Sequence, residues 1–217
     1  MMLERMDDFF AARLDGYDEH MKQNIQGASA FYAYTAALLP REEGVKVLDL
    51  GCGTGLELEE LFALNPTVKV TGIDLSAEML DALRVKFPDK SITLINESYF
   101  DVPLGESVYD GAVSVESLHH FPREMKLSLY QKLHKALKPK APFVLTDYFA
   151  ESEELEVEYF RNLAQLREEQ GIPDGVFVHY DTPLTVEHEA EVLREAGFAD
   201  VRILQCWGTS YTVLAEA

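Results

Sequence analysis

The sequence has few cysteines and no long apolar run, and each shortage excludes a class of protein. Two cysteines, Cys52 and Cys206, cannot build a disulfide framework. No apolar run approaches the roughly 18 residues that a membrane-spanning helix requires. No cationic and then apolar leader precedes Asp7 and Asp8. We therefore expect a reduced, cytoplasmic protein without a membrane partner.

The chain is also poor in positive charge. Its 217 residues include 19 lysines and arginines against 38 aspartates and glutamates, a formal net charge of -19. Nucleic-acid binding depends on clustered basic side chains that neutralise phosphates, so no nucleic-acid partner is expected. The surplus of carboxylates promotes solubility, and a weaker alternative is that its field favours cationic ligands.

Hydrophobic residues make up 47% of the chain and charged residues 26%, which is typical of a globular domain. Strands are predicted at 45–50, 68–73, 91–95, 109–115, 142–146, 200–206 and 209–215. Helices are predicted at 5–23 (interrupted by Gly16), 26–39, 56–64, 76–87, 125–137, 151–170 and 185–197. Strands that alternate with helices of this length indicate an α/β fold, in which a parallel sheet carries helices on both faces.

This order of elements indicates one domain with several parts. The helical segment 1–40 precedes a core at 41–150. An acidic helix and a loop rich in glycine, proline and aromatic residues occupy 151–184, which we interpret as an insertion on the edge of the sheet. A closing helix and hairpin follow at 185–217.

Three alternating glycines follow the first predicted strand directly. Gly51, Gly53 and Gly55 stand between Leu50, where the strand ends, and Leu56, where a helix begins. Glycine permits unusual backbone angles and lets a ligand approach the main chain. The helix N-terminus offers free N–H groups and a partial positive charge, which suit a carboxylate or a phosphate.

A carboxylate stands at the end of the next strand. Asp74 is placed to accept hydrogen bonds from a ribose diol, so the turn and the acid together indicate an adenosine-containing ligand. A dinucleotide fingerprint has the spacing Gly-x-Gly-x-x-Gly, whereas here the third glycine, Gly55, comes one residue earlier. Asp49, two residues before the first glycine, is an additional acid. The alternative is an inherited loop that no longer binds a ligand.

Taken together, several segments resemble the successive motifs of class I S-adenosylmethionine-dependent methyltransferases, in particular the small-molecule type 11 and type 25 group. The resemblance is carried by residues 47–55, 72–76, 109–121 and 133–146, and it extends over about 40–148 and the closing hairpin 197–217. It implies a Rossmann-like, doubly wound, seven-stranded sheet, mostly parallel with an antiparallel last strand. It also implies S-adenosylmethionine as the cofactor and S-adenosylhomocysteine as its product.

The resemblance implies a role for each matching residue. Asp49 and the glycine loop, which includes Cys52, would hold the methionine part of the cofactor, and Asp74 would hold the ribose. Leu75 would pack on the adenine. Where this family often carries an aspartate for the adenine amino group, this chain has Ser98, which can still accept a hydrogen bond, and Tyr99 can lend a ring.

Other candidate residues keep two interpretations each. Cys52 at a helix N-terminus can have a lowered thiol pKa, but we expect a small packing residue rather than a catalytic one. Glu116, just past the fourth strand, either contacts the cofactor or is a solvated carboxylate. Tyr17 matches the lid position of relatives and also fits core packing. The aromatic segment 177–180 either shapes substrate specificity or packs on the sheet.

Two adjacent histidines, His119 and His120, are the candidate catalytic residues. Their ordinary pKa near 6.5 suits a base that deprotonates an acceptor, and the alternative is a structural or substrate-shaping role. Neither has a cysteine or carboxylate neighbour at metal-ligand spacing, so no metal site is expected.

The activity that the resemblance implies is methyl transfer to a small-molecule acceptor by in-line displacement, in a monomer or homodimer. Catalysis of this kind depends mainly on positioning the nucleophile and excluding water. Two other classes stay open: a non-catalytic S-adenosylmethionine-binding module, and a nicotinamide-dependent oxidoreductase. The glycine spacing and the lack of a Tyr-x-x-x-Lys pair argue against the second.

Overall fold

A computed structural model describes residues 1–217 as eight α-helices and seven strands. The helices are α1 Met6–Ala12, α2 Tyr17–Asn24, α3 Ala28–Ala37, α4 Leu56–Leu64, α5 Ala77–Lys86, α6 Arg123–Ala136, α7 Glu153–Gln170 and α8 Val186–Glu195. The strands are β1 Lys46–Leu50, β2 Lys69–Asp74, β3 Ile92–Asn96, β4 Gly111–Val115, β5 Pro142–Tyr148, β6 Ala199–Trp207 and β7 Ser210–Glu216. A short 3-10 turn, Leu118–His120, follows β4.

All seven strands form one sheet in the order β3-β2-β1-β4-β5-β7-β6. The pairs among β1 to β5 are parallel, whereas β7 is antiparallel to both β5 and β6. This confirms the predicted doubly wound sheet with an antiparallel last strand. The strand order reverses between β1 and β4, and ligands of open α/β sheets bind outside the carboxyl ends of the strands at such a point.

The central strands are buried on both faces. Leu48 and Leu50 of β1 pack in the apolar core on one face, and Val47 packs in the core on the other. Strands covered on both faces have nearly continuous apolar sequences, which is why this strand was predictable. Ser76 caps α5 by accepting a hydrogen bond from the Met79 N–H, as predicted. No helix combines the length and the apolar character needed to cross a membrane.

The N-terminal region differs from the predicted helix at 5–23. The helix is divided, because Gly16 adopts a left-handed conformation with φ 83° between α1 and α2. The acidic helix predicted at 151–170 forms as α7, and no residue of this helix is fully buried.

The second part of the predicted 151–184 insertion, residues 171–184, does not lie on an edge of the sheet, which corrects that part of the prediction. The edge strands are β3 and β6. The Met6 N–H donates to the Phe177 carbonyl at 3.1 Å, and the Thr182 N–H donates to the His119 carbonyl at 2.9 Å. These bonds hold the segment beside α1 and across the carboxyl end of β4. The segment therefore covers the end of the sheet where ligands bind.

Candidate active site

A small cavity of about 60 Å³ lies at the carboxyl ends of β1 and β2. Helices α1 and α2 cover it, so the cavity is partly closed by the N-terminal region. Residues from the sheet side and from these two helices line it, including Gly51, Gly53, Asp74, Leu75, Tyr99, Met6, Phe10 and Tyr17. Several cofactor-binding residues predicted from the sequence therefore converge on one cavity.

The three glycines of the turn differ in what a larger side chain would meet at their positions. A Cβ on Gly51 would lie 2.0 Å from the Ser117 hydroxyl, so no other residue fits there. Gly53 lines the cavity, and a Cβ there would meet no atom within 4 Å. Gly55 lies outside the cavity lining and packs against the Phe87 ring, where a Cβ would approach to 3.1 Å. Its role is the close contact of α4 with α5.

The Asp74 carboxylate faces the cavity and forms no ion pair. One oxygen accepts the Gly53 N–H at 2.9 Å and the other accepts the Ser76 N–H at 2.9 Å. Burial raises the pKa of Asp74, and the N–H donors act against this rise. A carboxylate has about four acceptor positions, so further positions remain for hydroxyl groups of a ligand.

Asp49 and Glu57 form a buried pair of carboxyl groups beside the glycine turn. Both oxygens of Asp49 and the Oε1 oxygen of Glu57 lack a hydrogen-bond partner. Burial, followed by the neighbouring carboxyl of Glu57, raises the pKa of Asp49 well above its usual range, and burial raises the pKa of Glu57 to about 7. Buried polar groups are normally paired, so this pair fits a cationic ligand group that approaches the turn.

Three other predicted cofactor residues lie outside the cavity lining: Asp49, Cys52 and Ser98. Cys52 is buried, and its thiol packs against Gly72 of β2. Burial raises the pKa of this thiol, so a packing role follows. The Ser98 hydroxyl accepts the Phe100 N–H at 3.2 Å and fixes a turn. Tyr99 lines the cavity and approaches the Ser117 hydroxyl at 3.3 Å.

A second, larger cavity of about 1050 Å³ adjoins the first. Aromatic side chains, acidic side chains and four histidines line it, including Phe9, Tyr148, Trp207, Asp181, His20, His119, His120 and His179. Four residues line both cavities and thus mark their border: Phe10, Tyr17, Glu116 and His120.

Glu116 combines three unusual properties at this border. Its backbone is left-handed, with φ 48°, a strained conformation for a non-glycine residue and one that clusters at functional sites. The Ser210 hydroxyl donates to its Oε1 oxygen at 2.7 Å. Burial and then repulsion from Asp147 raise the pKa of Glu116 to about 7. The carboxyl group can therefore hold or release a proton near neutral pH.

His119 is held between two aspartates. Its Nδ1 lies 2.5 Å from an Asp147 oxygen, and its Nε2 lies 3.5 Å from Asp181 Oδ1. Burial opposes a charge on the ring, but the Asp147 carboxylate overcomes this and the pKa of His119 rises to about 10. The ring is thus an imidazolium at neutral pH and has no free base nitrogen, in contrast to the predicted role as a base.

His120 has the opposite character. Burial and then repulsion from His119 lower its pKa, so its ring is neutral. Its Nδ1 lies 3.2 Å from the Tyr180 carbonyl and 3.3 Å from Asp181 Oδ1. Of the two histidines, His120 is the one at the border of the cavities.

Both interpretations of Tyr17 apply. The ring lines both cavities and packs edge-on against Phe10 at 6.2 Å between ring centroids. The next residue, Asp18, accepts hydrogen bonds from Thr54 and Lys86, each at 2.5 Å, and so joins α2 to the glycine turn and to α5.

The aromatic segment 177–180 packs on α1, where the rings of His179 and Phe9 stack with their centroids 3.5 Å apart.

Three carboxylates of the site, Glu57, Asp147 and Asp181, were not predicted from the sequence. Asp147 directly follows the predicted strand 142–146, so the strand-end argument that identified Asp74 would have found it. Asp181 lies in an irregular loop, and no sequence signal marks it.

Known proteins are similar to this chain in sequence and in fold. A family model described as a methyltransferase domain matches residues 47–140. Cycloartenol-C-24-methyltransferase of Arabidopsis thaliana is 26% identical over 198 residues, which cover 87% of this chain and 53% of that protein. An uncharacterized methyltransferase of Synechocystis is 30% identical over 124 residues, which cover 57% of each chain. The chain thus spans about half the length of these relatives.

Among solved structures, human N-acetylserotonin methyltransferase in complex with S-adenosylmethionine has a similar fold. The TM-score is 0.66 at 20% identity, and the match covers 97% of this chain and 56% of that chain. At this sequence identity the similarity shows a shared fold alone. The matched family model, the relatives and the sheet order thus identify residues 47–140 as a methyltransferase domain, in agreement with the resemblance to class I S-adenosylmethionine-dependent methyltransferases.

Proposed function

We propose that this protein transfers a methyl group from S-adenosylmethionine to a small-molecule acceptor. The observation that carries the proposal is the pair of adjoining cavities. One lies on the glycine turn and the other is large enough for a small molecule, and Glu116 and His120 stand at their border. The first cavity, about 60 Å³ with α1 and α2 in place, is smaller than a whole cofactor, so binding would move these helices outward. A methyl group at the border of the two cavities would then lie beside Glu116 and His120.

The residues around the first cavity fit the parts of the cofactor. No side chain caps the N-terminus of α4, so its free N–H groups are available to a carboxylate. The unpartnered carboxyl groups of Asp49 and Glu57 suit an ammonium group near the same turn. Asp74 has remaining acceptor positions for ribose hydroxyls, and Leu75 and Tyr99 offer apolar surface to an adenine ring.

When bound, S-adenosylmethionine supplies a methyl group that its positively charged sulfur has already activated. The chain therefore needs to hold the acceptor in line and to exclude water. Helix α1 and the segment 171–184 cover the carboxyl end of the sheet and can do both. Glu116 is placed to take up a proton from an acceptor, because only one of its carboxylate oxygens has a hydrogen-bond partner.

Calorimetric titration with S-adenosylmethionine, S-adenosylhomocysteine and NAD⁺ tests the cofactor assignment. We expect the two adenosyl compounds to bind and NAD⁺ not to bind. Asp74→Ala removes charge-assisted acceptors, so binding should weaken by about 30- to 1000-fold, equivalent to about 2–4 kcal/mol. Asp81→Ala, an exposed aspartate of α5 that pairs with Arg84, is the matched control.

Two results would contradict the assignment: preferential binding of NAD⁺, or equal loss of affinity in the two variants. The transfer itself is tested by S-adenosylhomocysteine formation with amine, alcohol and thiol acceptors. Stimulation by one class supports catalysis, and turnover that no class stimulates supports a non-catalytic binding module instead.

A further inference from the structure

Three possible metal ligands meet on the wall of the larger cavity. His119 Nε2 lies 3.5 Å from Asp181 Oδ1, and His120 Nδ1 lies 3.3 Å from the same oxygen. All three ligand atoms lie within 4.8 Å of one another. The first two residues follow β4, whereas Asp181 comes from the covering segment, so only the fold brings them together.

The spacing of these atoms suits a cation better than direct hydrogen bonds. Contacts of 3.3 and 3.5 Å are long for charged hydrogen bonds, which are usually about 2.7–2.9 Å. Zinc binds nitrogen and carboxylate oxygen at about 2.0–2.2 Å, so two ligands of a tetrahedral ion are separated by roughly 3.3–3.5 Å. The observed separations fall in this range. The Tyr180 carbonyl, 3.2 Å from His120 Nδ1, is a further neighbouring oxygen.

The surroundings of His119 match those of metal-ligating histidines. Such a histidine usually donates its other ring N–H to a carboxylate, which fixes the ring. Here Asp147 accepts from His119 Nδ1 at 2.5 Å, so the ring keeps that proton, and the Nε2 proton that faces Asp181 is the one that a metal ion would displace into solvent. Asp147 is itself fixed, because it accepts the Leu118 N–H at 2.9 Å and the Tyr148 N–H at 3.0 Å.

The site also has the charge and the access that a cation requires. Three carboxylates, those of Glu116, Asp147 and Asp181, surround the two histidines, and no lysine or arginine forms an ion pair with any of them. The side chain of Asp181 is 46% exposed, so an ion can enter. His119, His120 and Asp181 all line the larger cavity.

We propose that His119, His120 and Asp181 bind one divalent transition-metal ion on the acceptor side of the site. Two nitrogen ligands and one oxygen ligand favour an ion such as Zn²⁺ over Mg²⁺ or Ca²⁺. A fourth coordination position then faces the larger cavity. It would hold an acceptor through an oxygen or sulfur donor, an assignment that rests on the proposed function. Asp147 is a positioning residue for His119.

Metal binding by the purified full chain, stripped with a chelator, tests the proposal. We expect one Co²⁺ or Zn²⁺ per chain, measured by visible absorption for Co²⁺ and by competition with a chromophoric chelator for Zn²⁺. Asp181→Asn and His120→Gln should each weaken binding at least tenfold. Asp147→Asn should weaken it by about 10- to 100-fold while the Co²⁺ ligand set is retained. Added ethanethiol should shift the Co²⁺ absorption through the open position.

His188→Gln is the matched control. His188 belongs to another histidine–carboxylate cluster, with Glu156 at 2.9 Å, and it lines neither cavity. Metal binding should be unchanged in this variant. No stoichiometric binding, binding retained in both Asp181→Asn and His120→Gln, or equal loss in His188→Gln would overturn the proposal.

S-adenosylhomocysteine titration of the same preparations separates the two proposals. If S-adenosylhomocysteine binds and metal does not, the metal site is wrong and the proposed function stands. If metal binds and S-adenosylhomocysteine does not, the metal site is supported and the proposed function is contradicted.

Discussion

The two halves of the site are built in different ways. The cofactor half uses residues that are close in sequence: Gly51 and Gly53 follow β1 directly and Asp74 ends β2. These two strands are consecutive along the chain and pair with each other. The acceptor half combines His119, Asp147 and Asp181, which come from three separate segments. A local motif therefore marks the first half, whereas the second exists only in the folded chain.

The two halves also treat buried charge differently. On the cofactor side, Asp49 and Glu57 have carboxyl oxygens without hydrogen-bond donors. On the acceptor side, Asp147 accepts two backbone N–H groups and the His119 ring. The unpaired carboxyl groups of Asp49 and Glu57 lower the stability of the ligand-free protein, whereas the hydrogen-bonded Asp147 raises it. Variants of the two halves should therefore have opposite effects on unfolding.

The largest effect is expected on the acceptor side. Asp147→Asn removes one partner of a buried ion pair and leaves the charge of His119 poorly compensated, so the free energy of unfolding should fall by about 3 kcal/mol. Denaturant unfolding of chelator-treated protein measures this change. Asp110→Asn is the control, because the Asp110–Lys138 pair is more exposed and should contribute less than about 1 kcal/mol. Equal effects of the two variants would contradict the comparison.

On the cofactor side we expect a smaller change in the free energy of unfolding, and in the opposite direction. Burial raises the pKa of Glu57 from an ordinary value of 4.5 to about 7, so the folded state binds the proton more tightly than the unfolded state. Its contribution to stability is fully present below about pH 4.5 and is lost as the pH rises through 7. Glu57→Gln mimics the protonated group and should be more stable than the wild type at pH 8, by ~2–3 kcal/mol, with little difference at pH 4.5.

Unfolding at both pH values measures this difference, and Glu60→Gln on the same helix is the control. Ligand affinity sharpens the test. S-adenosylhomocysteine should bind the wild type more tightly as the pH rises through 7, and this increase should be lost in Glu57→Gln. A variant with the pH profile of the wild type would show that Glu57 does not meet the ammonium group.

The smallest effect is expected where α2 joins the cofactor side. Lys86 contacts Asp18 at 2.5 Å and Glu59 at 3.2 Å and is only half-buried. Lys86→Ala should loosen α1 and α2 and weaken S-adenosylmethionine binding by about 2- to 5-fold, the equivalent of ~0.5–1 kcal/mol. Calorimetry measures the affinity, and hydrogen exchange should increase in α1 and α2. Lys135→Ala, at an exposed position of α6, should change neither.

Features that depend on neighbouring residues were predicted from the sequence, whereas features that depend on distant residues were not. The buried strand that ends at Leu50 and the capped helix that begins after Ser76 depend on neighbouring residues, and both were predicted. The position of 171–184 depends on backbone bonds to α1, and the sequence alone placed this segment wrongly on an edge of the sheet. The same limit applied to chemistry: two histidines without local partners gave no sign of the carboxylates that surround them.

The sequence by itself determined the order of strands and helices, the glycine turn and the acid that follows the next strand. These features depend on periodicity, backbone freedom and short spacing, which neighbouring residues set. Only the tertiary structure decided which histidine is charged, that Asp49 and Glu57 share a buried space, and that Asp181 reaches His119 and His120. Burial and long-range proximity control protonation and ligand geometry, and both arise only when distant segments of the chain pack together.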